Sequence, residues 1–143
     1  MREKEIIMSN ILKLIAQNDE QLTILSSLAQ DSIIKSNEMG YDKKNKRFAL
    51  LMNRYRHEEE NPSRIRTAIH FDYVNSVKSV GIYKQSNDDI LVLLAIRFEI
   101  KSKPSGSIFL EFSNNKSISF DVESVEAFLT DMGEPWKISN RPD

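Results

Sequence analysis

Between residues 48 and 122, apolar side chains recur at every second position in segment after segment. Ile65, Thr67, Ile69, Phe71 and Tyr73 alternate with Arg64, Arg66, Ala68, His70 and Asp72, and Ile118, Phe120 and Val122 alternate with Ser119, Asp121 and Glu123. Successive side chains of a strand point to opposite faces, so a period of two describes strands with one face on a core and the other in water. The pattern predicts an antiparallel β domain.

The chain has 143 residues, the length of one domain that needs no disulfide or metal to hold its core. With 40% hydrophobic and 29% charged residues, and only 4 Gly and 4 Pro, neither a disordered nor a fibrous class fits. There is no cysteine, which removes thiol nucleophiles and cysteine-based zinc sites and agrees with a reducing compartment. The first ten residues, MREKEIIMSN, hold too short an apolar run for a leader or a membrane span. We therefore expect a cytoplasmic protein without a membrane span, built as an N-terminal extension (1–10), a single domain (11–139) and a short tail (140–143).

Asn18 followed by Gln21 reads as a helix start, with Leu22, Leu25, Leu28, Ala29 and Ile33 at helical spacing behind it. From Ile33 the pattern changes to strands, separated by turn residues at Asp42 to Lys46, Asn61-Pro62-Ser63, Asn87-Asp88-Asp89, Pro104-Ser105-Gly106 and Asn114-Asn115. Ser124 is a suitable cap for a closing helix that carries Val125, Phe128, Leu129 and Met132 and stops at Gly133 and Pro135. The expected class is α+β: a mainly antiparallel sheet, or a partly open seven-strand barrel in the element order of the pleckstrin-homology-like fold, with one N-terminal and one C-terminal helix.

Charge is unevenly spread. Residues 43–103 carry 13 basic and 7 acidic side chains, against 4 and 7 before them and 3 and 7 after. Such asymmetry marks either an anion-binding face or an acidic C-terminal segment packed beside a basic sheet. Arg54, Arg56, Arg64 and Arg66, on the strands that flank the loop at 58–63, are the anion-binding candidates, because a guanidinium fork grips phosphate or carboxylate with two bonds. Register decides whether they meet. If Arg54 and Arg56 stand opposite Arg66, Arg64 or Ala68 they share the outer face, whereas a slip of one residue turns Phe48, Leu50 and Met52 inward and separates the two arginine pairs. Glu58, Glu59 and Glu60 are available to neutralise them.

No catalytic set emerges. His57 sits in an acidic loop, His70 and Asp72 share one strand face without a third ligand, and the glycines at 40, 81, 106 and 133 are too dispersed for a phosphate-cradling loop. No metal and no cofactor are expected.

Leu12-Lys13-Leu14-Ile15-Ala16, Gln30-Asp31, Arg47-Phe48-Ala49 through Asn53-Arg54, Leu94-Ala95-Ile96-Arg97-Phe98 and Val122-Glu123-Ser124-Val125-Glu126-Ala127 together resemble DUF2948, a bacterial family of unknown function, from about Leu12 to Pro142. The resemblance implies no activity and no site residue. The reading that follows is a binding or adaptor domain, leaning towards non-enzymatic, that engages an unidentified protein partner. A phosphorylated metabolite or nucleic acid on the basic hairpin is the less favoured alternative.

Overall fold

The computed structural model describes residues 11–82 and 89–142. Within them lie ten strands: β1 Lys13–Ala16, β2 Ile33–Lys35, β3 Met39–Asp42, β4 Arg47–Tyr55, β5 Ser63–Phe71, β6 Val74–Val80, β7 Ile90–Ile100, β8 Gly106–Phe112, β9 Lys116–Val122 and β10 Ala127–Lys137. One α-helix, α1, spans Asp19–Ala29. The expectations for residues 1–10, for Asn87 and for Asp88 lie outside the described residues.

The helix begins where its cap dictates. Asn18 Oδ1 accepts the backbone N–H of Gln21 at 2.8 Å, and Gln21 Oε1 reaches back to the N–H of Gln17, also at 2.8 Å. Leu22, Leu25 and Ala29 form its buried stripe, packed chiefly on β7. Ser26 Oγ accepts the N–H of Ile96 from that strand at 2.8 Å. Ile33, in step with the helical stripe, belongs instead to β2, because the helix ends at Ala29.

The strands form one hydrogen-bonded path, β1-β10-β5-β4-β2-β7-β8-β9-β6, with β3 also on β4 and every pairing antiparallel. The path is not closed, so the seven-strand barrel is corrected to an open sheet of ten strands. Its two halves meet at β2, where Ile33 faces Asn53 of β4 and Val92 of β7. The sheet also folds over on itself. The chain bends between β5 and β6 at Asp72 and Tyr73, the latter at φ 59°, which carries β6 to the far end of the path. This places Phe120 of β9 against Phe48 of β4 and Phe71 of β5, with ring centroids 5.3 and 4.8 Å apart. One continuous core, from Ala16 through Leu25, Met52, Ile69 and Leu93 to Leu110 and Leu129, fills the space between the halves.

The expected C-terminal helix at 124–132 is also corrected, and with it the α+β class: this segment enters β10. Val125, Phe128, Leu129 and Met132 fit a helical period, but Ala127, Leu129 and Asp131 fit a period of two equally well, and these three are the buried residues of β10. The strand prevails because it supplies hydrogen-bond partners to two neighbours at once, pairing β1 along Ala127 to Thr130 and β5 along Ala127 to Met132. Beyond Met132 the register slips before pairing resumes at Trp136, across Gly133 at φ 75° and Pro135, which has no N–H to give. Among the described residues no helix is long and apolar enough to cross a membrane.

Candidate functional site

The β4–β5 register pairs Phe48 with Phe71, Leu50 with Ile69, Arg54 with Ile65 and Tyr55 with Arg64. Phe48, Leu50 and Met52 therefore point inward, and Arg54 follows them into the core while Arg64 and Arg66 lie on the outer face. The four arginines do not form one patch.

Arg54 is fully buried and bound by two carboxylates. Its Nε and Nη2 donate to Asp131 Oδ1 and Oδ2 at 3.0 and 2.8 Å, and its Nη1 and Nη2 to Glu58 Oε1 and Oε2 at 3.0 and 2.8 Å. Asp131, also buried, accepts in addition the Thr67 hydroxyl at 2.7 Å and the Leu12 N–H at 3.0 Å. The network ties β4, β5, β10 and the residue before β1 together, and it leaves Arg54 with no free fork for a ligand. Burial alone would favour the neutral guanidine, but the bonds to Glu58 and Asp131 outweigh it and hold Arg54 charged above its ordinary range. In Glu58, burial works in the opposite direction from Arg54, and Arg54 wins, keeping the carboxyl below its ordinary value of 4.5.

A depressed carboxyl pKa stabilises the fold above the unfolded value, and that stabilisation disappears as pH falls through the folded value. Glu58→Gln is therefore expected to lower stability at neutral pH by about 1 kcal/mol or less, because the side chain is partly exposed. The difference from the parent chain should vanish on acidification below about 4.5, as read by urea midpoints across pH.

Arg64 donates to the carbonyls of Asp31 and Asn53, both at 3.0 Å, and lies over the Tyr55 ring. Arg66 bonds Asn53 Oδ1 at 3.1 Å and pairs with Glu38. Ion pairs Lys46–Glu123 and Lys101–Asp121 join Arg54–Asp131 in matching the basic middle of the chain to its acidic end.

Arg56 differs from the other three. One residue past β4, its N–H donates to the Ser63 carbonyl at 3.0 Å, and the residue lines a cleft of about 450 Å³ with Glu59, Glu60, Asn61, Ser63, Pro135, Trp136 and Lys137. Asp131, Trp136 and Lys137 are not legible as site residues in the sequence, because a helix over 124–132 gives them no strand to sit on. Gly133 and Pro135 were the available signal: they mark a strand irregularity as readily as a helix stop.

The outer face of β1, β10, β5 and β4 is the other exposed feature. Cross-strand pairing aligns Ile15, Phe128, His70 and Ala49 in one row and Lys13, Thr130, Ala68 and Leu51 in the next. Ile15, Ala49 and Met132 are exposed, while Leu51, Ala68, Phe128 and Thr130 are half-buried. His70 stacks on Phe128 at 4.6 Å, and its Nδ1 lies 3.6 Å from Asp72, which Arg47 holds at 2.7 Å. Burial, and secondly Arg47, push His70 below the ordinary imidazole value against the pull of Asp72. A shallow groove of about 530 Å³ runs over Ala49, Leu51, Ala68 and His70. Among the described residues no group of three or more His, Asp or Glu side chains is placed to hold a metal ion.

A family model for a protein of unknown function, DUF2948, matches residues 12–143. The chain belongs to the DUF2948 family. The match starts at Leu12, the residue whose N–H binds Asp131, and includes all of the outer face and both walls of the Arg56 cleft. A search of curated proteins found no match.

Proposed function

We propose that this DUF2948 domain is a binding domain that holds a protein partner on the outer face of β1, β10, β5 and β4. The supporting observation is that Ile15, Phe128 and Ala49 share a row with His70, with Leu51 and Ala68 in the row beside it, on the side of the sheet opposite the core. Contiguous apolar surface with a polar rim marks interaction sites on soluble domains. The charges of that rim favour a protein over nucleic acid: Arg47 is paired with Asp72 and Arg66 with Glu38, so the face offers little positive field to a polyanion. His70 serves this face as an aromatic neighbour of Phe128, in keeping with recognition rather than acid–base chemistry.

A photo-crosslinking side chain placed at Ala49 is expected to capture a protein from native extract, with nuclease treatment making no difference. The same group at Ser79, exposed on β6, should capture none. Leu51→Lys should reduce capture at Ala49 about tenfold, since it puts a charge in the apolar centre of the contact while the fold is retained. Equal capture from both positions, or capture that nuclease abolishes, would refute the assignment.

A further inference from the structure

We propose that the cleft between the β4–β5 loop and the end of β10 is a binding site for a small ligand that carries one carboxylate-type anion on a planar ring. Arg56 is more than nine-tenths buried, yet among the described residues its guanidinium makes a single hydrogen bond, from Nη1 to the neutral hydroxyl of Ser63 at 3.2 Å. Its Nε has no partner among the described residues. The contrast with Arg54, two residues away and bonded by both of its carboxylates, shows what this side chain lacks. A buried guanidinium short of acceptors is costly, and an anion in the cleft supplies them.

Glu59 shows where that anion would sit. Its carboxylate approaches Arg56 Nη2 only to 3.4 Å, and its side chain is about one-third exposed, so it is a loosely held occupant that an incoming carboxylate can replace. Lys137 brings a second cation to the wall, and Trp136, 40% exposed, brings a flat ring on which another can stack. The carboxylates of Glu59 and Glu60 balance the two cations, which disfavours polyphosphates and nucleic acid and suits a single compact anion. The volume of about 450 Å³ falls in the range of small-molecule sites. The irregularity at Gly133 to Pro135 creates the cleft, because it carries Trp136 and Lys137 back into pairing with Arg64 and Ser63 beside the loop.

Trp136 is the only tryptophan of the chain, so its fluorescence reports this cleft alone. Titration with benzoate at low salt is expected to change that fluorescence saturably. Acetate, the anion without a ring, and benzyl alcohol, the ring without an anion, should each bind at least tenfold more weakly. Arg56→Gln should weaken benzoate at least tenfold, and Lys137→Gln, at an exposed position, several-fold. Should Arg56→Gln fail to fold, nuclear magnetic resonance of the unmodified chain decides: benzoate must shift the Trp136 indole N–H and the Ser63 amide ahead of Ala49 and Ala68. No saturable benzoate response, an undiminished one in folded Arg56→Gln, or shifts centred on the outer face would overturn the site. Leu51→Lys must leave benzoate binding unchanged, which separates this test from that of the protein-binding face.

Discussion

Asp131→Ala is expected to destabilise the domain by about 3–5 kcal/mol, the cost of leaving a buried charge without its partner. Arg54 would keep Glu58 but lose the two bonds from Nε and Nη2 to Asp131, and the Thr67 hydroxyl and Leu12 N–H would lose their acceptor as well. Against a total stability of about 5–15 kcal/mol for domains of this kind, that removes a large fraction of what holds the fold together. Urea denaturation followed by circular dichroism measures it. Replacing both partners with apolar residues, as in Arg54→Met with Asp131→Leu, should recover much of the loss, because the expense lies in the unpaired charge and not in the absence of the pair. A loss below about 1 kcal/mol in Asp131→Ala would mean that the network does not hold the β4, β5 and β10 strands together.

Phe120→Ala is the second large effect, expected at about 3–5 kcal/mol. Its ring lies where the two halves of the folded sheet meet, against Phe48 and Phe71, and it is 2% exposed. No side chain can collapse into the gap without drawing β9 towards β4 and β5, so a cavity remains. Phe128→Ala on the outer face removes the same ring from a half-buried position and should cost distinctly less, as midpoints of urea unfolding for the two variants would show. Equal losses would place the core elsewhere than between the halves.

Both residues illustrate how unevenly this fold is written in its sequence. Phe120 was legible as core, because Ile118, Phe120 and Val122 alternate with polar neighbours and all three are buried. Asp131 was not, because an acidic residue at an inward position breaks the apolar alternation that identifies a strand. What makes it acceptable there is Arg54, 77 residues earlier in the chain. The same pairing hid β10: a reader who cannot see Arg54 finds Val125, Phe128, Leu129 and Met132 at helical spacing behind a good cap and writes a helix.

The candidate sites follow the same division. The basic hairpin was visible as four arginines, and its two alternative arrangements could be stated, but a choice between them required knowing which strands β4 and β5 lie between. Register then sent Arg54 into the core and Arg64 and Arg66 outward, and Arg56 keeps a buried Nε without a partner among the described residues. The outer face was written in Ala49, Leu51, Ala68 and Phe128 without being recognisable as a surface, because the β4–β5 pairing brings only the first three together and Phe128 joins them when β10 inserts between β1 and β5.

By itself the sequence determined what local chemistry controls: the start of α1 at Asn18, the alternation of β5, β8 and β9, and the turns that separate them. These depend on backbone groups and side chains a few residues apart, whose interactions are present wherever the segment is placed. Tertiary structure decided the identity of β10, the order of the strands, the open sheet and the separation of the arginines. Each depends on hydrogen bonds and ion pairs between segments tens of residues apart, and their free energy appears only when the partner strand is in place.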